Sequence, residues 1–253
     1  MNQLRTMPSQ EEEIAVLADA ADRLETAPPQ DILAWAVERY RPKISMACSF
    51  GMQSVVLIDM LHRAGLLEDV EVFYLDTGVL FQETHRTRLK IMDKYGIHPI
   101  KVEPELTINQ QGQRYGEKLW DSDPQACCRM RKVEPMKRYL VGKRAWITGM
   151  RRSHGKTRDA VPVVMWDRVN GLAKINPVAV FDDDTLWGYI KANGVPYNKL
   201  YDCGYPSIGC EPCTKPVKEG DDPRSGRWAG QGKTECGIHL DGEVVKSLDS
   251  SNL

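Results

Sequence analysis

Two pairs of cysteines carry the most specific chemistry in this chain: Cys127 and Cys128, inside Cys-Cys-Arg-Met-Arg-Lys-Val-Glu-Pro, and Cys210 and Cys213, inside Gly-Cys-Glu-Pro-Cys. Together they supply four thiolates, the ligand count of an iron–sulfur cluster or of a structural zinc. The vicinal pair favours iron. Adjacent side chains on a helix diverge by roughly 100°, so two neighbouring sulfurs suit separate irons of a cubane better than one tetrahedral zinc. A disulfide, or simply buried thiols, is the competing reading, but CxxC with a second pair is a metal-type spacing. Arg129, Arg131, Lys132, Lys137 and Arg138 crowd the first pair, and the nearest of them would offset the negative charge of a thiolate-bound cluster.

A fifth cysteine stands apart. Cys236 lies among Arg224, Arg227, Lys233 and His239 in a Gly-rich C-terminal stretch. Nearby cations favour the thiolate, which makes Cys236 a candidate nucleophile; an exposed thiol without a use is an oxidation liability. Cys48 and Cys203 have no evident partner and read as structural thiols.

The elements that must position these groups follow a β-α-β pattern. Residues 11–26 and 31–40 read as helices, the first peripheral and with an acidic first turn. A buried strand over 43–49 runs through Ser49, Phe50 and Gly51 into a helix over 52–64, and a free helix start above a small turn is an anion-binding geometry. A second strand, 70–75, ends in Asp76, Thr77 and Gly78, at the sheet edge where open parallel sheets bind ligands. A helix over 82–95 with Gly96 as its C-cap and a strand over 97–102 continue the pattern. Residues 107–123 read as a mobile loop with a short helix. The chain is expected to be helical from Cys127 to about 139, although Pro135 argues against an unbroken helix. A strand over 145–149 leads into the basic loop 150–158, which contains Arg151 and Arg152 and suits an anion clamp. Strands over 163–166 and 172–175 form a hairpin with an Asn-Gly turn. Asp182, Asp183 and Asp184 precede a helix and read as its N-cap and first turn rather than a metal site.

The 253 residues suffice for one large α/β domain or two small ones, and 42% apolar content is ample for a core. A formal net charge of −1 excludes a generally basic nucleic-acid binder, so anion recognition must be local. The first eight residues contain no signal-peptide run, and no segment reaches the ~20 apolar residues of a membrane span. These features predict a cytoplasmic protein with no membrane partner, in which seven cysteines are free thiols, metal ligands or reactive groups. A homo-oligomer is compatible with the sequence. The organisation expected is a peripheral N-terminal helix (1–27), an α/β domain carrying the cysteine pairs (28–217) and a flexible C-terminal tail carrying Cys236 (218–253).

The motifs at 127–132, 210–213 and Lys-Thr-Glu-Cys-Gly-Ile-His at 233–239 resemble those of the assimilatory adenylyl-sulfate (APS) reductases. These are relatives of the phosphoadenylyl-sulfate (PAPS) reductases in the PP-loop, or adenine nucleotide α-hydrolase-like, superfamily. The resemblance covers residues 30–240 and implies an open, mostly parallel sheet flanked by helices. It implies a [4Fe-4S] cluster on Cys127, Cys128, Cys210 and Cys213, with Cys236 attacking the sulfate sulfur. It also implies that Ser49, Phe50, Gly51, Leu75, Asp76, Thr77, Gly78 and Gly149 line the adenosine monophosphate half of the site. Lys132, Arg151, Arg152, Arg224, Arg227 and His239 would surround the phosphosulfate. Ser49 to Ser54 departs from the Ser-Gly-Gly-x-Asp-Ser loop of ATP-using relatives by lacking the second glycine and the acid, which argues against pyrophosphatase activity.

Thiolate attack on a sulfonyl group bearing anionic oxygens needs cations to neutralise charge as AMP leaves. The resulting S-sulfocysteine needs an external thiol, so thioredoxin or glutaredoxin is the expected reductant. The alternatives are a PAPS or dual-specificity reductase, a PP-loop thiolation or ligase enzyme that turns over ATP, and a non-catalytic iron–sulfur redox sensor indifferent to Cys236.

Overall fold

The computed structural model describes residues 8–155 and 158–239. Helices α1 (Gln10–Leu24) and α2 (Pro29–Tyr40) precede strand β1 (Ile44–Ala47), helix α3 (Met52–Arg63), strand β2 (Glu71–Leu75), helix α4 (Gln82–Tyr95) and strand β3 (Ile100–Val102). Helices α5 (Ile108–Tyr115), α6 (Leu119–Ser122), α7 (Pro124–Cys128) and α8 (Glu134–Leu140) come next. Strands β4 (Ala145–Ile147), β5 (Val164–Asp167) and β6 (Leu172–Ile175) and helix α9 (Asp183–Asn193) complete the regular elements.

The six strands form one sheet in the order β3-β2-β1-β4-β6-β5, parallel throughout except for β5, which pairs antiparallel with β6 at one edge. This is the expected open, mostly parallel α/β architecture. Because strand side chains alternate faces, each central strand feeds two cores. Ile44, Met46, Val72, Tyr74, Ala145, Ile147, Ala173 and Ile175 join the main core with Leu17, Leu33, Val55 and Leu186 from the helices. Phe73, Trp146 and Leu172 face the other way and pack with Met136 and Leu140 of α8. Trp146 is fully buried, and its indole N–H donates to Asp167 at 3.0 Å. Burying each such large side chain contributes about 1.5–3 kcal/mol.

Local signals explain several boundaries. Gly96 and Gly194 adopt left-handed conformations just past α4 and α9, where a Cβ would be strained. Asp182 caps α9 by accepting from the Thr185 N–H at 2.8 Å, so the acid triplet serves the helix start. Residues 107–123, expected as loop with one short helix, form two helices instead. Thr107 and Gln110 close a reciprocal capping box at the start of α5.

Pro135 does not interrupt the helical path after the cysteine pair. Between α7 and α8 the chain makes a wide π turn, Arg129–Val133, in which the Glu134 N–H bonds the Arg129 carbonyl five residues back. Pro135 then falls in the first turn of α8, where its missing N–H costs no hydrogen bond.

Candidate active site

The β1–α3 junction builds the floor of a cleft at the carboxyl ends of the strands. Phe50 takes φ +57°, a left-handed conformation unfavourable for a non-glycine residue by about 1–2 kcal/mol. Its ring is buried and meets Tyr74 edge-on, with centroids 5.5 Å apart. Gly51 begins α3 without a side-chain cap, so backbone N–H groups face the turn. The Tyr201 hydroxyl accepts from the Met52 N–H at 3.1 Å, and Ser54 Oγ donates to the Gly51 carbonyl at 3.0 Å.

Above that floor opens a cavity of about 200 Å³. Ser49, Phe50, Gly51, Leu75, Thr77 and Gly149 line it from the strand ends. Lys132 enters from the π turn, and Arg224, Arg227, Cys236 and His239 come from the C-terminal segment. Gly149 is required by close packing, since a Cβ there would lie 2.5 Å from Gln53 Cβ.

Four expected residues sit elsewhere. Asp76 Oδ1 accepts from the Gly78 N–H at 3.0 Å, and Asp76 lies 3.4 Å from Lys101 Nζ, outside the cavity lining. Gly78 packs beside Arg131, whose Nε donates to the Thr77 carbonyl at 2.5 Å. Arg151 is fully buried behind the cleft and binds Asp183 at 2.5 Å and the Phe181 carbonyl at 3.2 Å. With the Gln53 amide turned so that its oxygen faces the guanidinium, the orientation that satisfies both groups, Arg151 Nη2 and Nε also donate to it at 3.0 and 3.2 Å. Arg152 makes a bidentate pair with Glu25, at 2.6 and 2.9 Å. From the same basic loop, Arg158 and His154 reach the cavity instead.

Gln53, His154, Arg158, Ser207, Trp228 and Glu235 line the cavity without having been singled out from the sequence. Arg158 and His154 carried a signal as members of the basic loop, and Glu235 as part of the 233–239 motif. Burial, then the guanidiniums of Arg151, Arg158, Arg224 and Arg227, lower the His154 pKa to about 3, so its imidazole is neutral. His239 is likewise held well below its ordinary value by burial and by Lys174 and Arg158.

The C-terminal segment is docked through residue 239; residues 240–253 of the expected tail lie outside the described residues, as do residues 1–7 and the loop residues Lys156 and Thr157. Ile238 packs against the second core, and His239 stacks on Trp146 with ring centroids 5.8 Å apart and planes 10° apart. Gly237, at φ +89°, turns the chain directly after Cys236, with a Cβ position only 3.1 Å from Val133 Cγ2.

Next to the cleft lies a small void lined by Cys127, Cys128, Cys210 and Cys213, with Arg131, Lys132 and Trp228. All four thiols are free. Burial, then the neighbouring thiols, raise Cys127 to about 11, and burial, then Cys210, raise Cys213 to about 12. Burial also raises Cys128. At Cys210 burial is outweighed by Lys132, by the Thr77 hydroxyl 3.3 Å away and by Arg227, so its pKa is lowered. Lys132 is buried, yet the sulfurs of Cys210, Cys236 and Cys128 raise its pKa, and its ammonium lines both spaces. Among the described residues the Trp228 indole N–H is buried without a partner. A buried donor and a cation beside four thiols form a cage that suits an anionic sulfur-rich group. Among the described residues no three His, Cys, Asp or Glu side chains gather as a single-ion site.

Fold and cavity together define an α/β protein of the PP-loop type, with a cleft at the strand ends lined by several cations and a thiol. Residues 43–216 match the phosphoadenosine phosphosulfate reductase domain, and the chain belongs to that family. It is 45% identical over 217 residues to the adenosine 5′-phosphosulfate reductase of Geobacillus thermodenitrificans, covering 85% of this chain and 92% of that one. It is 41% identical over 242 residues to the phosphoadenosine 5′-phosphosulfate reductase of Gloeobacter violaceus, covering 94% and 100%. The crystal structure of the Candida auris phosphoadenylyl-sulfate reductase, a phosphate complex, superposes with a TM-score of 0.71 at 29% identity, covering 84% of this chain and 99% of that one.

Proposed function

We propose that this chain reduces adenosine 5′-phosphosulfate to sulfite and AMP in cytoplasmic sulfate assimilation, through an S-sulfocysteine on Cys236. The observation that carries this reading is that Cys236 lines the same cavity as the Ser49–Gly51 turn and the cations Lys132, Arg224 and Arg227. An anion cradle and a thiol in one cleft are what thiolate attack on a phosphosulfate requires.

In the first step the Cys236 thiolate forms an S–S bond to the sulfate sulfur. The S–O bond to the phosphate breaks, and AMP leaves with its electron pair. Lys132, Arg224 and Arg227 offset the charge that meets there. The neutral imidazoles of His154 and His239 add no competing positive charge and are free to donate a hydrogen bond to an anionic oxygen. In the second step a thiolate of an external dithiol, thioredoxin or glutaredoxin, attacks the Cys236 sulfur, and sulfite departs with the electrons of the S–S bond. The second thiol of the reductant resolves the mixed disulfide and restores Cys236, so the dithiol supplies both electrons.

Cys127, Cys128, Cys210 and Cys213 are the residues that would hold a [4Fe-4S] cluster. When bound, such a cluster supplies local structure and an electrostatic field beside the cleft, since thiol chemistry accounts for both electrons. Lys132 sits between the two spaces and would sense the charge in each.

Relatives bear the names of both APS and PAPS reductases, so the substrate arm of the test is essential. Anaerobically purified protein is mixed with either nucleotide without reductant, and intact mass is recorded. One sulfonate adduct with APS alone, absent in Cys236→Ser, is the expected result. An adduct with both nucleotides identifies a dual-specificity reductase, and no adduct with either refutes the mechanism.

A further inference from the structure

The residue preceding Cys236 places a carboxylate inside the anion-binding cleft. Glu235 Oε1 accepts from Arg158 Nε at 2.9 Å, and Oε2 accepts from Arg158 Nη2 at 2.7 Å and from Arg224 Nη2 at 3.2 Å. Arg224 Nη2 also donates to the Thr234 carbonyl at 2.7 Å. Glu235 and Arg158 are each only 8% exposed. The pair thus ties the C-terminal segment to the loop after β4 across 77 residues of chain.

A carboxylate is a costly choice in a cleft that must admit an anion, because it occupies the same guanidiniums and repels the incoming charge. Its geometry indicates a different role. A bidentate arginine–carboxylate pair is planar and directional, so it fixes position as well as charge. Glu235 is bonded directly to Cys236 in the chain. On the other side of that cysteine, Gly237 turns the backbone and Ile238 and His239 anchor on the Trp146 face of the sheet. Cys236 is therefore suspended between two anchors, one apolar and one ionic.

We propose that Glu235 is a positioning residue that seats the Cys236 thiol in the cleft through Arg158 and Arg224. The ionic anchor is the one that must release when Cys236 meets an external thiol. The apolar anchor buries Ile238, whereas a carboxylate can exchange its guanidinium partners for water or yield them to a substrate anion. Glu235 forms no bond to the substrate and takes no proton; it acts only through the placement of its neighbour. This inference rests on the proposed role of Cys236, and its test is designed to fail separately.

Wild type, Glu235→Gln and Glu235→Asp are compared as anaerobically purified protein in three measurements. The first is the single-turnover rate of the sulfonate adduct with APS; the second is the affinity for AMP. The third is the rate of Cys236 alkylation by iodoacetamide without nucleotide, read by peptide mass spectrometry with the exposed Cys203 as internal reference. For Glu235→Gln the adduct rate is expected to fall roughly tenfold or more, the loss of a charged hydrogen-bond pair. AMP affinity should stay the same or tighten, because two guanidiniums are freed, and Cys236 alkylation should accelerate relative to Cys203. Glu235→Asp, which keeps the charge on a shorter arm, should fall between. A general structural defect would instead weaken AMP binding in parallel with the rate, and that result overturns the inference. So does an unchanged alkylation ratio, which remains readable even if wild type forms no adduct and the proposed function itself fails.

Discussion

Gly209→Ala tests the cation arrangement of the cleft without touching any charged residue. A Cβ at position 209 would lie 2.3 Å from Arg227 Nη2, 2.6 Å from Cζ and 3.0 Å from Nη1. Ordinary contacts are about 3.5–4.0 Å, so the guanidinium must retreat by roughly 1–1.5 Å. Arg227 has little room to absorb this: it is 9% exposed, lies over the Trp228 ring at 4.4 Å and donates to Ser207 Oγ at 3.4 Å. The displaced atoms belong to the end of a flexible side chain, and Gly209 has no positive φ, so the fold should survive with little change in Tm. The loss falls on function. A hydrogen bond to a charged group contributes about 1.5–3 kcal/mol, which corresponds to a fall in kcat/KM of roughly 10- to 150-fold with APS. The control is Arg227→Ala. If Gly209→Ala acts only by moving Arg227, it should add little in the Arg227→Ala background, the non-additivity expected of two changes on one interaction. A kcat/KM within about threefold of wild type, or an equal loss on top of Arg227→Ala, refutes the reasoning.

Two further outcomes follow from the site. The proposed cluster predicts that anaerobically purified wild type carries visible absorption and bound iron and that Cys210→Ser, which removes a donor from the four-thiol void, loses both; retention of both in the variant would sink the ligand assignment. Burial holds His239 well below its ordinary pKa, whereas the unfolded chain titrates near ~6.5. Below that pH only the unfolded state takes up the proton, so stability falls on acidification by up to about 1.4 kcal/mol per pH unit. His239→Asn should therefore flatten the decline of Tm between about pH 6.5 and 5, above the range where carboxylates contribute, and an unchanged slope would reject His239 as the source.

The cysteines and the β-α-β frame were legible because their signals are local: residue type, spacing and capping. The wide turn after Cys128 was not, because Pro135 argues for a break in a sequence and only the structure shows the chain widening to admit it. Arg151 and Arg152 illustrate the harder limit. Both stand in a basic loop at a strand end, yet their partners are Asp183 and Glu25, the second 127 residues away in the chain. Which arginine of a cluster faces the cleft depends on carboxylates contributed by distant elements, and no periodicity encodes that. The docking of residues 218–239 leaves no sequence signal for the same reason: their attachments are ion pairs, a ring stack and single backbone bonds, which follow no pattern along the chain.

Those attachments also explain why the thiol is carried on this segment. One face of the sheet is covered by helices, but on the other the described core is small, built on Phe73, Trp146 and Leu172 with α8, and Ile238 and His239 complete it. Undocking Ile238 and His239 would uncover apolar surface of the sheet, and that cost keeps the apolar anchor in place while the ionic one exchanges. The buried apolar contact supplies a steady bias toward closure, and the Glu235 pair supplies alignment that water or an anion can exchange. Under the proposed mechanism, separating the two duties would let the thiol be held accurately for attack on the substrate and still be released to an external thiol, which a single strong anchor could not do.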